Sequence, residues 1–285
     1  MPGQRDHDGR TAALLSLALV LAGCGLHQGY APDIVPVYSG QDGPAAPAPR
    51  DSLFVVSWNI QYGENLDRAL AELRLLAPPG GADIILLQEM DRAGAARLAD
   101  SLGLNFVYAP ASVHPHHQRL FGDAVLSRLP IVAHEVRVLP HPTPLTGHHR
   151  LAVAADLDLG DGARLRVVSV HTATMIVDQA DRLEQAAAVF DSLAGDGPVV
   201  VAGDFNTVSP WEQTLLRRAG RAAGLDAVRL PTGPTIRSGL GRWAGAPPVL
   251  DHVFVRGLAV GSRGVARSAT ASDHYPVWIV AAPPR

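Results

Sequence analysis

The stretch VVVAGDFNT, residues 199–207, constrains the fold more than any other part of the chain. Its three consecutive valines are typical of a buried strand, which ends abruptly in an acid, an aromatic residue and an amide. Because side chains alternate along an extended backbone, Asp204 and Asn206 lie on one side and Phe205 on the other. This placement fits a turn, since Asp and Asn readily bond their own backbone. It also fits a carboxylate and an amide that share one ligand, such as a metal-bound water or a phosphate.

The residues after this stretch favour the ligand. In SPWE, Ser209, Pro210 and Glu212 match the N-cap, the first and the third position of a helix with a capping box. The order is therefore strand, loop and helix, with Asp204 and Asn206 in the loop. That loop lies at the carboxyl end of the strand, where α/β proteins tend to bind ligands.

Six further polar residues are placed in the same way. They are Asn59, Glu89 and His171, which follow strand-like runs, and Asp251, Asp273 and His274, which precede them. The start of an antiparallel strand lies beside the end of its neighbour. We therefore expect all of these side chains to meet at one edge of the sheets.

Between these residues, strand-like and helix-like patterns alternate from residue 53 onward. Helices are predicted near 65–77, 92–102 and 178–194, and the leucines of the first recur every three or four residues. LDLGDGARL predicts two antiparallel strands joined by a glycine-containing turn. Hairpins together with strand–helix units indicate an α/β protein with mixed rather than purely parallel sheets.

Composition excludes some chemistry. The chain has 285 residues, enough for one large domain or two small ones, and a formal net charge of −3. This charge argues against a protein that coats DNA, but it leaves small anionic substrates open. All 24 basic residues are arginine, which excludes Schiff-base chemistry on lysine and a phosphate-loop lysine. Nine arginines lie in residues 211–270, where they face either an anionic substrate or solvent.

The N-terminus has the pattern of a targeting segment. Arg5 and Arg10 precede an apolar stretch that is too short to span a bilayer and ends in LAGC at Cys24, the only cysteine. This ending resembles the bacterial lipoprotein signal. We expect a signal peptide over residues 1–23, a lipidated Cys24, and a Pro/Gly-rich tether over 24–52. The protein would then be extracytoplasmic and membrane-anchored, in the periplasm or at the cell surface.

Taken in order, the motifs WNIQ, LLQE, GDAVLSR, SVHT, GDFN, LDHVF and SDH resemble those of the endonuclease/exonuclease/phosphatase superfamily. Its members include DNase I-like nucleases, abasic-site endonucleases, neutral sphingomyelinases and inositol phosphatases. The resemblance covers residues 53–282. It implies an α/β fold: a four-layer α/β/β/α sandwich of two packed mixed β-sheets flanked by helices, with the active site at one end.

The resemblance also implies a metal site and a nucleophile site. Glu89 and Asn59 match the metal-binding positions, and Asp273 assists directly or through water. Oxygen ligands of this kind suit Mg²⁺, with Mn²⁺ as an alternative. Asp204 matches the residue that positions or deprotonates the attacking water, and Asn206 its neighbour that orients the phosphate.

Two histidines complete the implied site. His274 matches a catalytic histidine near the scissile phosphate, oriented by Asp251, and His171 matches a second donor to a phosphoryl oxygen. Asp123 in GDAVLSR stands where many relatives carry an asparagine, which leaves its role open. Arg150 is a candidate phosphate contact, with a surface position as the alternative.

Seven of the twelve histidines lie between His114 and His149. They fit a zinc site or, as the irregular spacing favours, a variable loop beside the substrate.

Three functions follow from this set. The first is an exported, nuclease-like Mg²⁺-dependent phosphodiesterase acting on nucleic acid or nucleotides. The second is a lipid-directed enzyme, similar to sphingomyelinases or to remodelers of GPI-anchor lipids. The third, which the complete catalytic set disfavours, is a tethered binding module without activity. The expected partners are a phosphate-ester substrate and, through Cys24, the bacterial membrane, and the protein is expected to be a monomer.

Overall fold

The computed structural model describes residues 35–41, 43, 51–113, 119–144, 146–193, 195–237 and 248–283. The predicted signal peptide over 1–23 and the lipidation site Cys24 lie outside these residues. So do three of the clustered histidines, which are His114, His116 and His117. None of the helices in the described ranges is long and apolar enough to cross a membrane.

The described chain folds into thirteen strands, four α-helices and one short 3₁₀ turn at Gln61–Gly63. The strands are β1 (Tyr38–Gln41), β2 (Leu53–Asn59), β3 (Ile84–Met90), β4 (Asn105–Val113), β5 (Leu120–Ser127), β6 (Ile131–Val138), β7 (Leu151–Gly160), β8 (Ala163–His171), β9 (Val199–Asp204), β10 (Asp226–Ala227), β11 (Asp251–Arg256), β12 (Ala259–Val265) and β13 (Val277–Ala282). The helices are α1 (Leu66–Leu76), α2 (Arg92–Leu102), α3 (Gln179–Asp191) and α4 (Pro210–Ala222).

These strands form two mixed sheets, as the sequence predicts. The first has seven strands in the order β1-β4-β5-β3-β2-β13-β12, and the second has six in the order β10-β11-β9-β8-β7-β6. Each sheet contains one parallel pair, β2 with β3 and β8 with β9. The other pairs are antiparallel, including the predicted hairpin of β7 and β8.

Three apolar layers hold the sheets and helices together. The central layer packs the two sheets face to face and includes Val55, Leu86 and Val200. An outer layer joins the first sheet to α1 and α2 through residues such as Leu73 and Leu98. The other outer layer, around Phe190, joins the second sheet to α3 and α4. Because strands buried on both faces need apolar residues at every position, this arrangement explains the continuous apolar runs, and it confirms the four-layer sandwich.

The helix boundaries follow from capping. Ser209 accepts a hydrogen bond from the backbone N–H of Glu212, whose side chain bonds back to Ser209, so α4 begins with the predicted capping box. Asp91 and Asp178 cap α2 and α3 through side-chain oxygens. The predicted helices are confirmed within a few residues at each end.

One boundary prediction is wrong. Residues 24–52 are predicted to be only a tether, yet Tyr38–Gln41 forms β1 and pairs antiparallel with β4 at the edge of the first sheet. Tyr38 stacks on Tyr108 of β4, with ring centroids 6.2 Å apart. A four-residue edge strand surrounded by prolines has too little periodicity to be visible in the sequence. The folded domain therefore begins before residue 53.

Two glycines permit close approach of neighbouring strands beside the predicted site. A Cβ on Gly203 would collide with the carbonyl oxygen of Val170, and one on Gly122 with that of Ala109. Each glycine directly precedes an aspartate, Asp204 or Asp123. In each Gly-Asp pair, the glycine thus allows its strand to approach the neighbouring strand closely, and the aspartate that follows it lies at this close approach.

Candidate active site

All predicted site residues in the described chain come together at one end of the sandwich, between the two sheets. They are Asn59, Glu89, His171, Asp204, Asn206, Asp251, Asp273 and His274. In the second sheet, His171, Asp204 and Asp251 lie side by side on β8, β9 and β11. Asn59, at the end of β2, and Glu89, on β3, come from the first sheet.

Asp204 lies at the centre of this site and is buried. Its Oδ2 is 3.6 Å from Nε2 of His171 and 3.6 Å from Nε2 of His274. The same oxygen accepts a hydrogen bond from Nδ2 of Asn59 at 3.1 Å, and Oδ1 accepts one from the backbone N–H of Asn206 at 2.9 Å. Burial raises the pKa of Asp204, which the positive charge of His274 opposes.

His274 carries a positive charge. Its Nδ1 donates to Oδ2 of Asp251 at 3.0 Å, and both residues are buried. Burial alone would lower the pKa of His274, but the carboxylates of Asp251 and Asp204 outweigh it and raise that pKa to about 10. The ring therefore presents a charged Nε2–H toward Asp204 at neutral pH.

His171 is neutral, for the opposite reason. Its Nδ1 lies 3.2 Å from Nη1 of Arg150, and a guanidinium can only donate. Nδ1 of His171 therefore accepts, and the proton of the ring lies on Nε2. Burial lowers the pKa of His171 well below its usual value, and the charges of Arg150 and His274 lower it further.

Glu89 is aimed into the site by an irregularity in its strand. The register between β3 and β5 shifts between Leu87 and Met90, and Glu89 has a positive φ of 54°. Such a bulge redirects a side chain at a local cost. Burial raises the pKa of Glu89 to about 7, with Arg150 lowering it and Asp204 raising it.

Backbone strain is concentrated at this end of the molecule. Six non-glycine residues of the described chain have positive φ, and four of them, Gln61, Tyr62, Glu89 and Asn206, lie at the site. Each such residue costs of order 1–3 kcal/mol unless the surroundings impose it. Strain of this kind is common where a fold positions functional groups.

The GDFN loop combines both interpretations of its sequence. The bond from the N–H of Asn206 to Asp204 is a turn closed by the aspartate side chain. In addition, Nδ2 of Asn206 donates to the carbonyl of Thr172 at 3.1 Å, and both Asp204 and Asn206 line a cavity of about 270 Å³. The turn is therefore the device that holds the two side chains at the cavity.

A group of polar residues beside the site was not predicted. Gln61 accepts a hydrogen bond from the backbone N–H of Asp273 at 3.0 Å. Ser272 donates to the carbonyl of Asn59 at 2.7 Å and accepts from the N–H of His274 at 3.1 Å. These bonds join β2 to the loop before β13. Their only sequence signal is their position next to predicted site residues.

Asp123 belongs to the site, although the sequence left its role open. It is buried opposite the irregular part of β3, and its Oδ2 has no hydrogen-bond partner among the described residues. Burial raises the pKa of Asp123 well above its usual value, opposed by Arg150. Arg150 likewise belongs to the site, where it contacts His171.

The residues present fit a hard divalent cation. The carboxylates of Asp123 and Asp204 are buried, that of Glu89 is partly buried beside them, and one oxygen of Asp123 is unpaired within the described chain. Oxygen donors of this kind suit Mg²⁺. The amide oxygen of Asn59 already accepts from the N–H of Gln61 at 3.2 Å, so its role as a ligand stays a prediction, as does that of Asp273.

Of the described histidines in the 114–149 region, His141 lies with Asp181 and Glu184 in a group whose ligand atoms are within 4.8 Å of one another, so a metal site there stays a prediction. Nε2 of His141 is 2.7 Å from Glu184, and its Nδ1 is 3.6 Å from Asp181, so the two acids lie on opposite edges of the ring. Nδ1 of His149 is 3.3 Å from the carbonyl oxygen of Leu139. His141 therefore contacts both acids of helix α3.

Comparison with known proteins places these motifs in one family. A model of the Endonuclease/Exonuclease/phosphatase family matches residues 56–274. A UPF0294 protein of Vibrio cholerae is 36% identical over 131 residues, which are 45% of this chain and 43% of that protein. A UPF0294 protein of Yersinia enterocolitica is 29% identical over 241 residues, which are 83% of this chain and 86% of that protein. The match thus spans less than half the length of the Vibrio relative.

Solved structures share the fold. An endonuclease/exonuclease/phosphatase from Beutenbergia cavernae aligns with a TM-score of 0.65 at 22% identity, over 82% of this chain and 72% of that one. A mannosyl-6-phosphatase from Bacteroides thetaiotaomicron aligns with a TM-score of 0.61 at 18% identity, over 80% and 98%. Sphingomyelinase C from Streptomyces griseocarneus aligns with a TM-score of 0.56 at 20% identity, over 82% of this chain and 99% of that one. At these identities the likeness concerns the fold.

Proposed function

The chain belongs to the endonuclease/exonuclease/phosphatase family of phosphoester hydrolases, and on this premise we propose that it is a Mg²⁺-dependent phosphodiesterase. Water attacks the phosphorus in line with the leaving alcohol. One observation carries the proposal: a buried carboxylate, Asp204, lies 3.6 Å from Nε2 of both His274 and His171. This arrangement places a proton acceptor between two proton donors.

Asp204 holds the attacking water and takes its proton at Oδ2. The hydrogen bonds from Asn59 and Asn206 fix the carboxylate in one orientation. The raised pKa of Asp204 is closer to neutral pH than that of an ordinary aspartate. A base with such a pKa is suited to take a proton near neutral pH. The water oxygen forms a bond to phosphorus and the P–O bond to the alcohol breaks. The leaving alkoxide takes a proton from solvent water, and the proton on Asp204 returns to solvent.

The two histidines donate to the phosphoryl oxygens. The charged His274 and the neutral His171 both present Nε2–H on the side of Asp204. Donors fixed in advance around a developing negative charge are worth about 10²–10³ in rate each. A Mg²⁺ ion held by Glu89, with Asp273 and Asn59, would supply further positive charge to the phosphate.

The location of the protein is part of the proposal. LAGC supports export with a lipid on Cys24, followed by a chain that reaches the folded domain. Replacing Cys24 by serine should leave an unlipidated precursor that no longer partitions with membranes. Wild-type protein found unmodified and soluble in the cytoplasm would contradict this part of the proposal.

The test of the catalytic proposal is Glu89→Gln, assayed with bis(p-nitrophenyl) phosphate as Mg²⁺ is titrated into metal-free enzyme. We expect hydrolysis to be abolished while the thermal unfolding curve stays that of a folded protein. Glu135→Gln, at an exposed glutamate of β6, is the matched control and should keep its activity.

A Glu89→Gln variant that retains most of its activity with an unchanged Mg²⁺ requirement would contradict the proposal. A wild-type protein that hydrolyses no phosphate ester would instead favour the tethered binding module.

A further inference from the structure

The catalytic residues form one side of their cavity, and apolar side chains form much of the rest. Met175, Val208, Ile236, Pro248 and Leu250 line the same 270 Å³ cavity as Asp204 and His274. We call these five residues the apolar wall. An ester group of a phosphate bound at Asp204 can therefore lie against apolar side chains.

The apolar surface continues from the cavity to the outside of the protein. In the described chain, six large hydrophobic side chains are exposed, and three of them are Met175, Ile176 and Trp211, at 52%, 64% and 59%. We call these three the apolar rim. Met175 belongs to both the wall and the rim, so the two surfaces are continuous.

A buried arginine joins the start of α4, where Trp211 lies, to the loop that carries the other two rim residues. Arg182 donates to the carbonyl of Val177 and pairs with the carboxylate of Glu212. Val177 directly follows Ile176, and Glu212 directly follows Trp211. The loop before α3 and the start of α4 therefore lie side by side.

Charge at the cavity disfavours a polyanion. Among the described residues, the lining of the cavity includes acids and histidines but no arginine, and the chain has no lysine. Arg150 is engaged with His171. Proteins that bind nucleic acid line the path of the backbone with basic residues, so the described walls do not fit the phosphates that flank a scissile one.

We propose that the substrate is a phosphodiester of an apolar alcohol, of the glycerophospholipid class, with its acyl chains on the apolar wall and the apolar rim. This inference rests on the proposed function, because the same site performs the hydrolysis. The apolar rim then contacts the lipid assembly from which the substrate is drawn.

Two diesters that differ only in their acyl chains test this inference. The full chain is assayed with Mg²⁺ on dihexanoylphosphatidylcholine and on glycerophosphocholine, both below any micellar concentration. We expect kcat/KM to be about 10²-fold higher for the lipid, since each buried methylene contributes about 0.8 kcal/mol and each 1.4 kcal/mol is tenfold. A thymidine dinucleotide serves as the nucleic-acid alternative and should be hydrolysed no better than glycerophosphocholine.

A variant pair ties the preference to the surface. The double variant Met175→Ser/Ile176→Ser should lower the ratio of the two kcat/KM values about tenfold, because it removes apolar contact from exposed positions. Leu75→Ser changes an equally apolar and 85% exposed residue on α1 and should leave the ratio unchanged.

Hydrolysis of bis(p-nitrophenyl) phosphate distinguishes a failure of the inferred lipid substrate from a failure of the proposed phosphodiesterase function. If this diester is hydrolysed while the ratio is near one, or while the dinucleotide is preferred, the inference is overturned and the proposed function stands. If none of the diesters is hydrolysed, the proposed function fails and the inference fails with it. An unchanged ratio in the double variant also overturns the inference.

Discussion

The two histidines that flank Asp204 have the same geometry but different charge. On one flank His274 and on the other His171 place Nε2 3.6 Å from the same oxygen, and both rings are buried. Behind His274 stands the carboxylate of Asp251, and behind His171 the guanidinium of Arg150. The group bonded to Nδ1, rather than the residue type or the distance to Asp204, decides whether the ring is charged.

This difference gives the site two donors without two buried cations. A second charged histidine beside His274 would add repulsion in a buried environment. A neutral His171 with its proton on Nε2 still donates a hydrogen bond. The fold thus supplies one charged and one neutral donor to the two sides of the same carboxylate.

Removing the shared partner should have the largest effect. We expect Asp204→Ala to lower turnover about 10²–10³-fold with little change in substrate affinity, and His274→Ala to do the same. Residues that act as a unit give losses that do not add, so the double variant should be scarcely worse than the more damaged single one. Steady-state kinetics on a soluble diester measures these losses.

Asp100→Ala, at an exposed position of α2, is the control for this comparison. If either single variant turns over the diester within about threefold of wild type, Asp204 and His274 do not act as one catalytic unit. If both variants unfold, the residues are structural.

The charged flank depends on Asp251. In Asp251→Asn, the pKa of His274 should fall from about 10 because its main stabilising charge is gone while burial still opposes the cation. Turnover should fall about 10²-fold, and the alkaline limb of the pH–rate profile should move to lower pH. A profile whose alkaline limb stays in place would show that Asp251 does not set the charge of His274.

The neutral flank depends on Arg150. Arg150→Met keeps the length of the side chain and removes its charge, so the pKa of His171 should rise, although burial still holds it low. We expect about a tenfold loss of activity, the scale of one hydrogen bond to a charged group. Arg137→Met, at a partly exposed arginine of β6, is the control. A His171 ring that titrates unchanged in Arg150→Met would contradict the account.

His252 provides a third buried histidine that lies outside the pair. Its Nε2 is 2.7 Å from Oγ1 of Thr207, and burial lowers its pKa from 6.5 to about 4. Between these values the unfolded chain binds more protons than the native one, so stability falls as pH falls. His252→Gln should make the free energy of unfolding less pH-dependent in this window, by up to about 1.4 kcal/mol per pH unit.

Urea unfolding at several pH values measures this slope. Equal slopes in wild type and His252→Gln would show that His252 is not held neutral. This is the smallest of the four effects, because it concerns stability alone and leaves the catalytic pair in place.

Much of the site was predictable because its signals are local. Apolar runs that end in Asn59, Glu89, His171 and Asp204 identify strand ends, and the two-sheet fold brings such ends together. The capping box at Ser209 fixes the loop between β9 and α4. These patterns depend on the backbone and its periodicity, which a sequence shows directly.

Other features depend on contacts between distant segments. The link from Arg150 to His171 spans two strands, and nothing in the residues around Arg150 indicates its partner. The apolar wall is assembled from three connections, after β8, after β9 and between β10 and β11, which share no period, and Met175 stands out only once its exposure is known. β1 is stabilised by β4 rather than by its own sequence.

The charge difference between the two histidines is tested most directly by ¹⁵N NMR of the imidazole nitrogens in the metal-free protein. His171→Gln and His274→Gln assign the signals. At pH 7.5 we predict that both nitrogens of His274 carry protons and that His171 is neutral with its proton on Nε2. Two rings in the same protonation state, or a charged His171 beside a neutral His274, would contradict the account.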